Sequence, residues 1–184
     1  MQENDAASVL RFWFEDCAPE QWFKKDAAFD DALATRFGAL MEAALSDPAL
    51  AARWAETARG RLAVILLLDQ FPRNVQRGAA KAFAGDAAAL ALSQAAEPAG
   101  HLADLTLDER KFMLMPMMHS EALTVQSASL ALFARYCDAE TLGYAKAHHD
   151  VIVRFGRFPH RNAALKREST AAERAYLAEP GAGF

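Results

Sequence analysis

Residues 61–74, RLAVILLLDQFPRN, contain the stretch that decides the fold. An uninterrupted aliphatic run, 62–68, precedes Asp69. A helix that is apolar nearly all round is usually buried on every side, so this pattern predicts a helix over about 61–70 at the centre of the core. Phe71 and Pro72 are expected to end that helix, because the residue before a proline avoids α geometry. The run is too short to cross a bilayer, which needs about 20 apolar residues.

Helical spacing also recurs in the rest of the chain. The patterns Thr106-x-x-Glu109 and Thr170-x-x-Glu173 predict capping boxes at two helix starts, and Asp138 is expected to cap a helix over about 139–155. A proline at position 116 should kink or end one helix, and a long helix should follow over about 117–136. With no linker or low-complexity stretch, residues 1–184 are predicted to form one all-α domain.

Composition limits the classes of function. The 184 residues are 53% hydrophobic and carry a net charge of −4, which lacks the basic excess of a nucleic-acid-binding protein. The two cysteines have neither CxxC nor zinc-site spacing, and the adjacent His148 and His149 diverge on a helix, so no metal site and no cofactor are expected. The N-terminal MQENDAASVL lacks the features of a signal peptide. We therefore expect a soluble cytoplasmic protein with no membrane partner.

One segment of the chain echoes another. LLLDQFPRN (66–74) and RFGRFPHRN (154–162) each have an apolar helix end followed by Phe-Pro and Arg-Asn, and the second has one extra residue, His160. The echo fits two related helical hairpins, although it lacks the 34-residue period of true tetratricopeptide repeats.

His119 is the first candidate for chemistry. On a continuous helix, Gln126 would lie two turns further along nearly the same face. A histidine exchanges protons near neutral pH, and the neighbouring Glu121 could orient it or accept a proton. The alternative is that His119 and Gln126 form only a hydrogen bond across a helix packing seam.

The second candidate is the arginine-rich segment 154–162. Guanidinium groups bind carboxylates and phosphates in bidentate fashion, so Arg157, Arg161 and His160 could hold a small anionic molecule. Alternatively, the arginines pair with Asp69 and Glu121 and fasten the two hairpins together.

These blocks resemble a known bacterial family. LRFWF (10–14), LLLDQFPRN (66–74), MPMMHSE (115–121), HHDVIVRFGRFPHRN (148–162) and REST (167–170) are similar to the family called domain of unknown function 924, over nearly the whole chain. The resemblance implies an α-α superhelix like that of tetratricopeptide-repeat proteins, and it implies no activity. Many members have Leu-Gly-Arg where this chain reads Leu165-Lys166-Arg167.

The sequence thus predicts a helical protein with a polar pocket between its two halves. The pocket would bind a small anionic ligand and could serve acid–base chemistry, so whether the protein is an enzyme stays open. The alternatives are a groove that binds a peptide or protein partner, and a homodimer without catalysis. The predicted proton-transfer residues are His119 and Glu121. The predicted ligand-binding residues are Asp69, Arg73, Gln126, His148, Arg157, His160 and Arg161.

Overall fold

The computed structural model describes residues 5–183, which form helices, turns and loops without any strand. The all-α prediction is confirmed. The α-helical segments of this range are α1 (Ala6–Arg11), α2 (Ala27–Ser46), α3 (Pro48–Trp54), α4 (Ala58–Ile65), α5 (Phe71–Val75), α6 (Asp86–Gln94), α7 (Leu107–Met118), α8 (Leu123–Tyr136), α9 (Ala139–Phe155) and α10 (Ala171–Leu177). No helix in these residues combines the length and hydrophobicity needed to cross a bilayer.

The predicted helix starts are confirmed at three helices. Thr106 and Glu109 form a reciprocal capping box at α7, and Thr170 and Glu173 form another at α10. The Asp138 side chain accepts a hydrogen bond from the backbone N–H of Thr141 at the start of α9. Each cap pairs a backbone donor that the first helical turn leaves without a partner.

The aliphatic run 62–68 lies at the centre of the core, as predicted. Every residue in it is at most 1% exposed. Aromatic rings pack beside it: the ring centroid of Trp13 lies 5.3 Å from that of Phe71 and 5.6 Å from that of Phe112. These large side chains supply the volume that an alanine-rich chain otherwise lacks.

The prediction that Phe71-Pro72 ends the central helix is wrong. The chain continues through a π-helical turn, Leu66–Gln70, into α5, which ends at Val75. Pro72 has no N–H, so a regular α-helix would lose the hydrogen bond to the carbonyl four residues earlier. The wider turn accommodates the proline, and the N–H of Phe71 donates to the carbonyl of Leu66 instead.

The predicted start of the next helix near position 117 is also wrong. Helix α7 contains Pro116 and extends to Met118, and the next helix begins at Leu123 rather than near position 117. His119 is the C-cap of α7, whereas Gln126 lies in α8. The two residues therefore do not share a stripe on one helix.

Two backbone positions with positive φ shape the C-terminal part. Gly156 ends α9 with φ 70°, and its N–H donates to the carbonyl of Ile152. Lys166 adopts φ 55°, a left-handed conformation that is unfavourable for a residue with a Cβ. The left-handed turn is thus formed with a lysine at this position.

Helices that follow one another along the chain also pack together: α6 lies on α7, α7 on α8, and α8 on α9. This order is consistent with hairpins stacked in a superhelix. The superhelical arrangement and the single-domain organisation remain predictions.

Candidate functional site

Asp69 is a fully buried carboxylate on the π-helical turn. Its side chain is 0% exposed. One carboxylate oxygen, Oδ1, lies 2.8 Å from Nδ1 of His119 and 3.0 Å from Nη1 of Arg73. The other, Oδ2, accepts a hydrogen bond of 2.5 Å from the side-chain amide of Gln70. A carboxylate with this many partners can remain ionised inside the protein.

His119 lies at the C-terminal end of α7, where its backbone N–H donates to the carbonyl of Met115. Its ring is held at Nδ1 by Asp69. The second ring nitrogen, Nε2, makes no hydrogen bond among residues 5–183 and is not one of the buried unpaired atoms, so it reaches solvent. Because the carboxylate accepts a hydrogen bond from Nδ1–H, the ring is in the tautomer that has a lone pair on Nε2.

The two Phe-Pro segments meet at Asp86, the first residue of α6. Arg73 lies 2.9 Å from Oδ1 of Asp86, and Arg161 donates to Oδ2 at 3.1 Å. The second terminal nitrogen of Arg161 donates to the His119 carbonyl oxygen at 2.9 Å. Residues of α5, α6, α7 and the segment after α9 therefore converge on one polar cluster.

Phe83 packs between the two arginines of the cluster. The guanidinium carbon of Arg161 lies 4.8 Å from the Phe83 ring centroid, and that of Arg73 lies 5.5 Å from it. The Phe158 ring centroid also lies 4.7 Å from the Arg161 guanidinium carbon. Cation–π contacts of this kind are worth about 0.5–2 kcal/mol, depending on how far the pair is desolvated. They help to position the Arg161 guanidinium within the cluster.

Gly85 permits the close approach that positions Asp86. A Cβ built at Gly85 would lie 2.3 Å from the carbonyl oxygen of Leu68. That carbonyl precedes Pro72 by four residues, so it is the one that a regular helix would have paired with an N–H at position 72. The absence of a side chain at Gly85 therefore brings the start of α6 against the π-helical turn.

Charges within the cluster set the protonation of the central pair. Burial by itself would raise the pKa of Asp69, but the Arg73 guanidinium and His119 outweigh it, so the pKa lies below its ordinary value. Burial, and next Arg73, lower the pKa of His119 below its ordinary value of 6.5. At neutral pH the pair is therefore an ionised carboxylate and a neutral imidazole.

Two further histidines lie near His119. The ring centroid of His148 is 6.1 Å from that of His119, and its Nδ1 lies 2.8 Å from the carbonyl oxygen of Tyr144. His160 lies beside Phe158, whose ring also packs against His148. The ring centroids of Phe158 and His160 are 5.5 Å apart. Burial lowers the pKa of His148 to about 3 and that of His160 to about 4. Both rings are neutral at physiological pH.

Glu121 occupies a different position from the one the sequence suggested. Its carboxylate accepts two hydrogen bonds from Arg167, at 2.7 and 2.9 Å, and one from the backbone N–H of Phe158 at 2.7 Å. The carboxylate that contacts His119 is that of Asp69. Glu121 thus fastens the segment after α9 to the end of α7.

Arg157 and Gln126 also have structural partners. Arg157 makes a bidentate ion pair with Glu173, at 2.6 and 2.9 Å, and donates to the Glu168 carbonyl oxygen. The amide of Gln126 donates to the carbonyl oxygens of Met118 and Ser120, at 2.6 and 2.8 Å. Arg157 therefore forms an ion pair with α10 and lies outside the cluster. The predicted site residues that the structure brings together are Asp69, Arg73, His119, His148 and Arg161.

Sequence reasoning missed Asp86, Phe83 and Gly85. In the sequence, Asp86 only opens an alanine-rich helix, where an acidic residue favours the helix dipole and needs no further explanation. Its bridging role depends on contacts with Arg73 and Arg161, which are 13 and 75 positions away along the chain. No local signal marks such a role.

The cluster is partly open to solvent. The side chains of His119, Arg73 and Asp86 are 14%, 20% and 24% exposed. A separate surface groove lies between α1, α3 and α4, beside Trp54 and Arg59, and none of the predicted site residues lines it. No group of three or more His, Cys, Asp or Glu side chains within 5–183 has the arrangement of a metal site.

The chain is similar to known proteins over nearly its whole length. Residues 9–181 match the family model described as "Bacterial protein of unknown function (DUF924)". A solved structure, the protein of unknown function ATU0120 from Agrobacterium tumefaciens, is 39% identical to the chain, with a TM-score of 0.87. The match covers 94% of this chain and 96% of that one. No curated protein matches the chain.

Proposed function

The chain belongs to the bacterial DUF924 family of unknown function, and from this premise, which assigns no activity, we propose that it binds a small anionic ligand beside His119 and accepts a proton at Nε2. The observation that carries the proposal is the contact of 2.8 Å between His119 and the buried Asp69, together with a solvent-facing Nε2. A carboxylate that fixes one ring nitrogen and leaves the other as a lone pair is the arrangement of a general base.

The arginines support an anionic ligand. Arg161 is 6% exposed, and its Nε–H is buried without a hydrogen-bond partner among residues 5–183. Buried donors are nearly always paired in folded proteins, so an acceptor oxygen from water or a ligand is expected here. Arg73, which donates to the same Oδ2 of Asp86 as Arg161 does, adds a partly exposed guanidinium.

The pairing of Arg157 and Arg167 argues against a peptide groove in the arginine-rich segment after α9. Such a groove would need arginines that face solvent and grip an acidic peptide. Instead, Arg157 forms an ion pair with Glu173, and Arg167 forms one with Glu121. No specific observation favours a peptide partner over a small ligand.

A titration with inorganic phosphate tests the proposal. The ring resonances of His119 should shift and saturate as phosphate is added at constant ionic strength, with sodium chloride as the balancing salt. Arg161→Gln should abolish the saturable shift. Arg157→Gln removes a guanidinium outside the cluster and should leave it unchanged, which makes it the matched control. Circular dichroism and melting curves would confirm that both variants are folded.

Two results would contradict the proposal. One is a His119 signal that does not respond to phosphate. The other is a response that is equal in the parent, Arg161→Gln and Arg157→Gln, because ligand binding at the cluster requires its own arginine.

A further inference from the structure

His119 has the properties of a nucleophile as well as those of a base. Its Nε2 makes no hydrogen bond to a serine, threonine, cysteine or tyrosine side chain among residues 5–183. A histidine that activates a protein nucleophile lies within hydrogen-bond reach of it. The lone pair of His119 itself is therefore the nucleophile that this site presents to a ligand.

The surroundings of the ring fit a phosphoryl group. Arginine is well suited to bind phosphoryl oxygens, and Arg161 has a buried Nε–H without a partner in the described chain. Its Nη2 is fixed on the carbonyl oxygen of His119 at 2.9 Å, so the guanidinium lies against the residue that would be modified. Arg73 contacts the same oxygen of Asp69 as the His119 ring does, with Nη1 3.0 Å from Oδ1.

We propose that Nε2 of His119 is a phosphoryl-acceptor site, at which a small phosphoryl donor forms a covalent phosphohistidine. This proposal deepens the proposed function, because it rests on the same anion-binding cluster. Asp69 is a positioning residue: it keeps the proton on Nδ1 and stabilises the positive charge that the ring gains on phosphorylation. Arg161 and Arg73 bind the oxygens of the transferring group.

The step balances with phosphoramidate as the donor. The Nε2 lone pair attacks phosphorus and forms an N–P bond, while the P–N bond of phosphoramidate breaks. The departing nitrogen takes the proton of the phosphoryl monoanion and leaves as ammonia. The ring keeps its Nδ1 proton against Asp69 and becomes an imidazolium that bears a phosphoryl dianion, so charge is conserved and no oxidant or reductant is needed.

His149 supplies an internal comparison. Like His119, it has a carboxylate near Nδ1, at 3.4 Å in Asp150, but its Nε2 lies 3.2 Å from the hydroxyl of Ser127. In the part of the chain that the structure describes, no arginine hydrogen-bonds to His149. A reagent that modifies any accessible imidazole should therefore reach His149 without the assistance that His119 receives.

Treatment of the full chain with potassium phosphoramidate tests this proposal. The rate and the site of modification are measured by intact mass, site-localised mass spectrometry and ³¹P NMR. We expect phosphorylation on Nε2 of His119 at least about tenfold faster than on His149, since one charge-assisted hydrogen bond suffices for such a factor. Asp69→Asn should slow it by at least about tenfold, because the amide can donate to Nδ1 and favour the wrong tautomer. Arg157→Gln should leave the rate unchanged.

The wild-type measurement keeps the test decisive even where Asp69→Asn does not fold. Equal modification of His119 and His149, attachment at Nδ1, or no modification of His119 would overturn the phosphoryl-acceptor proposal. If inorganic phosphate still shifts the His119 resonances in that case, the proposed anion site stands and only the covalent step fails. Absence of both responses would overturn both proposals.

Discussion

Oδ1 of Asp69 lies 2.8 Å from Nδ1 of His119, and the aspartate side chain is 0% exposed. The pair joins the π-helical turn before α5 to the C-terminal end of α7, two parts of the chain that are 50 residues apart. A buried carboxylate beside a neutral imidazole fixes both the orientation and the tautomer of the ring. The chemistry that we propose depends on that contact.

Replacement of Glu121 separates its role from that of Asp69. Glu121→Gln should lower the free energy of unfolding by about 1–2 kcal/mol, because it weakens the charged hydrogen bonds to Arg167. The ring resonances of His119 should keep their tautomer pattern, since Asp69 is the residue that contacts it. Urea unfolding and histidine NMR check the two parts. A changed His119 tautomer would contradict this prediction, because it would mean that Glu121 controls the protonation of the ring.

The close packing of Gly85 makes a second prediction. Gly85→Ala should destabilise the protein by about 1–3 kcal/mol, because the added methyl would overlap the Leu68 carbonyl and displace Asp86. Gly143→Ala in α9 is the matched control, as nothing lies within 4 Å of the position that its Cβ would take and alanine favours a helix by about 1 kcal/mol. Equal effects of the two substitutions on denaturant unfolding would refute the packing argument.

Lys166 offers a stabilising substitution. Its φ of 55° costs a residue with a Cβ about 1–2 kcal/mol relative to right-handed conformations, and glycine avoids that cost. Lys166→Gly should therefore raise the free energy of unfolding by a few tenths to about 1 kcal/mol after the extra chain entropy of glycine. Lys146→Gly, in the middle of α9, should instead lower it by about 1 kcal/mol. Destabilisation by both substitutions would show that the turn at position 166 is unstrained.

The neutral histidines predict sensitivity to mild acid. His148 has a folded-state pKa of about 3 against an ordinary value of 6.5, so the unfolded chain takes up its proton first as the pH falls. Stability due to His148 is fully present above about pH 6.5 and decreases by about 1.4 kcal/mol per pH unit below it, down to the folded pKa.

A substitution at His148 measures this contribution. Between about pH 7 and about pH 5, the wild type should lose on the order of 2 kcal/mol more than His148→Gln does. The buried carboxylates do not obscure the comparison, because the ordinary value for aspartate, 3.8, lies below this range. Parallel curves of unfolding free energy against pH would mean that His148 takes up its proton as readily in the folded protein as in the unfolded chain.

Local signals predicted the parts of the fold that depend on local contacts. The boxes at Thr106 and Thr170 are complete within four residues, so the sequence alone determines the helix start. The aliphatic run around Leu66 requires burial wherever it lies, so its central position also followed from the residues.

Local rules failed where a distant contact decides the conformation. Pro72 was expected to end a helix, but the π-helical turn and the close approach of Gly85 accommodate it. Likewise, the proximity of Arg73 and Arg161 was predicted from the echo of two Phe-Pro segments, whereas the bridge through Asp86 was not. A carboxylate at a helix start has a sufficient local role, and only the folded chain shows its second one.

The protonation of the His119 ring tests the central claim most directly. In ¹⁵N-labelled protein at neutral pH, long-range ¹H–¹⁵N spectra distinguish a protonated ring nitrogen from one with a lone pair. The structure predicts a neutral ring with the proton on Nδ1 and an unprotonated Nε2. A proton on Nε2 with a bare Nδ1, or a doubly protonated ring, would contradict the account, because neither form leaves a lone pair to face the ligand.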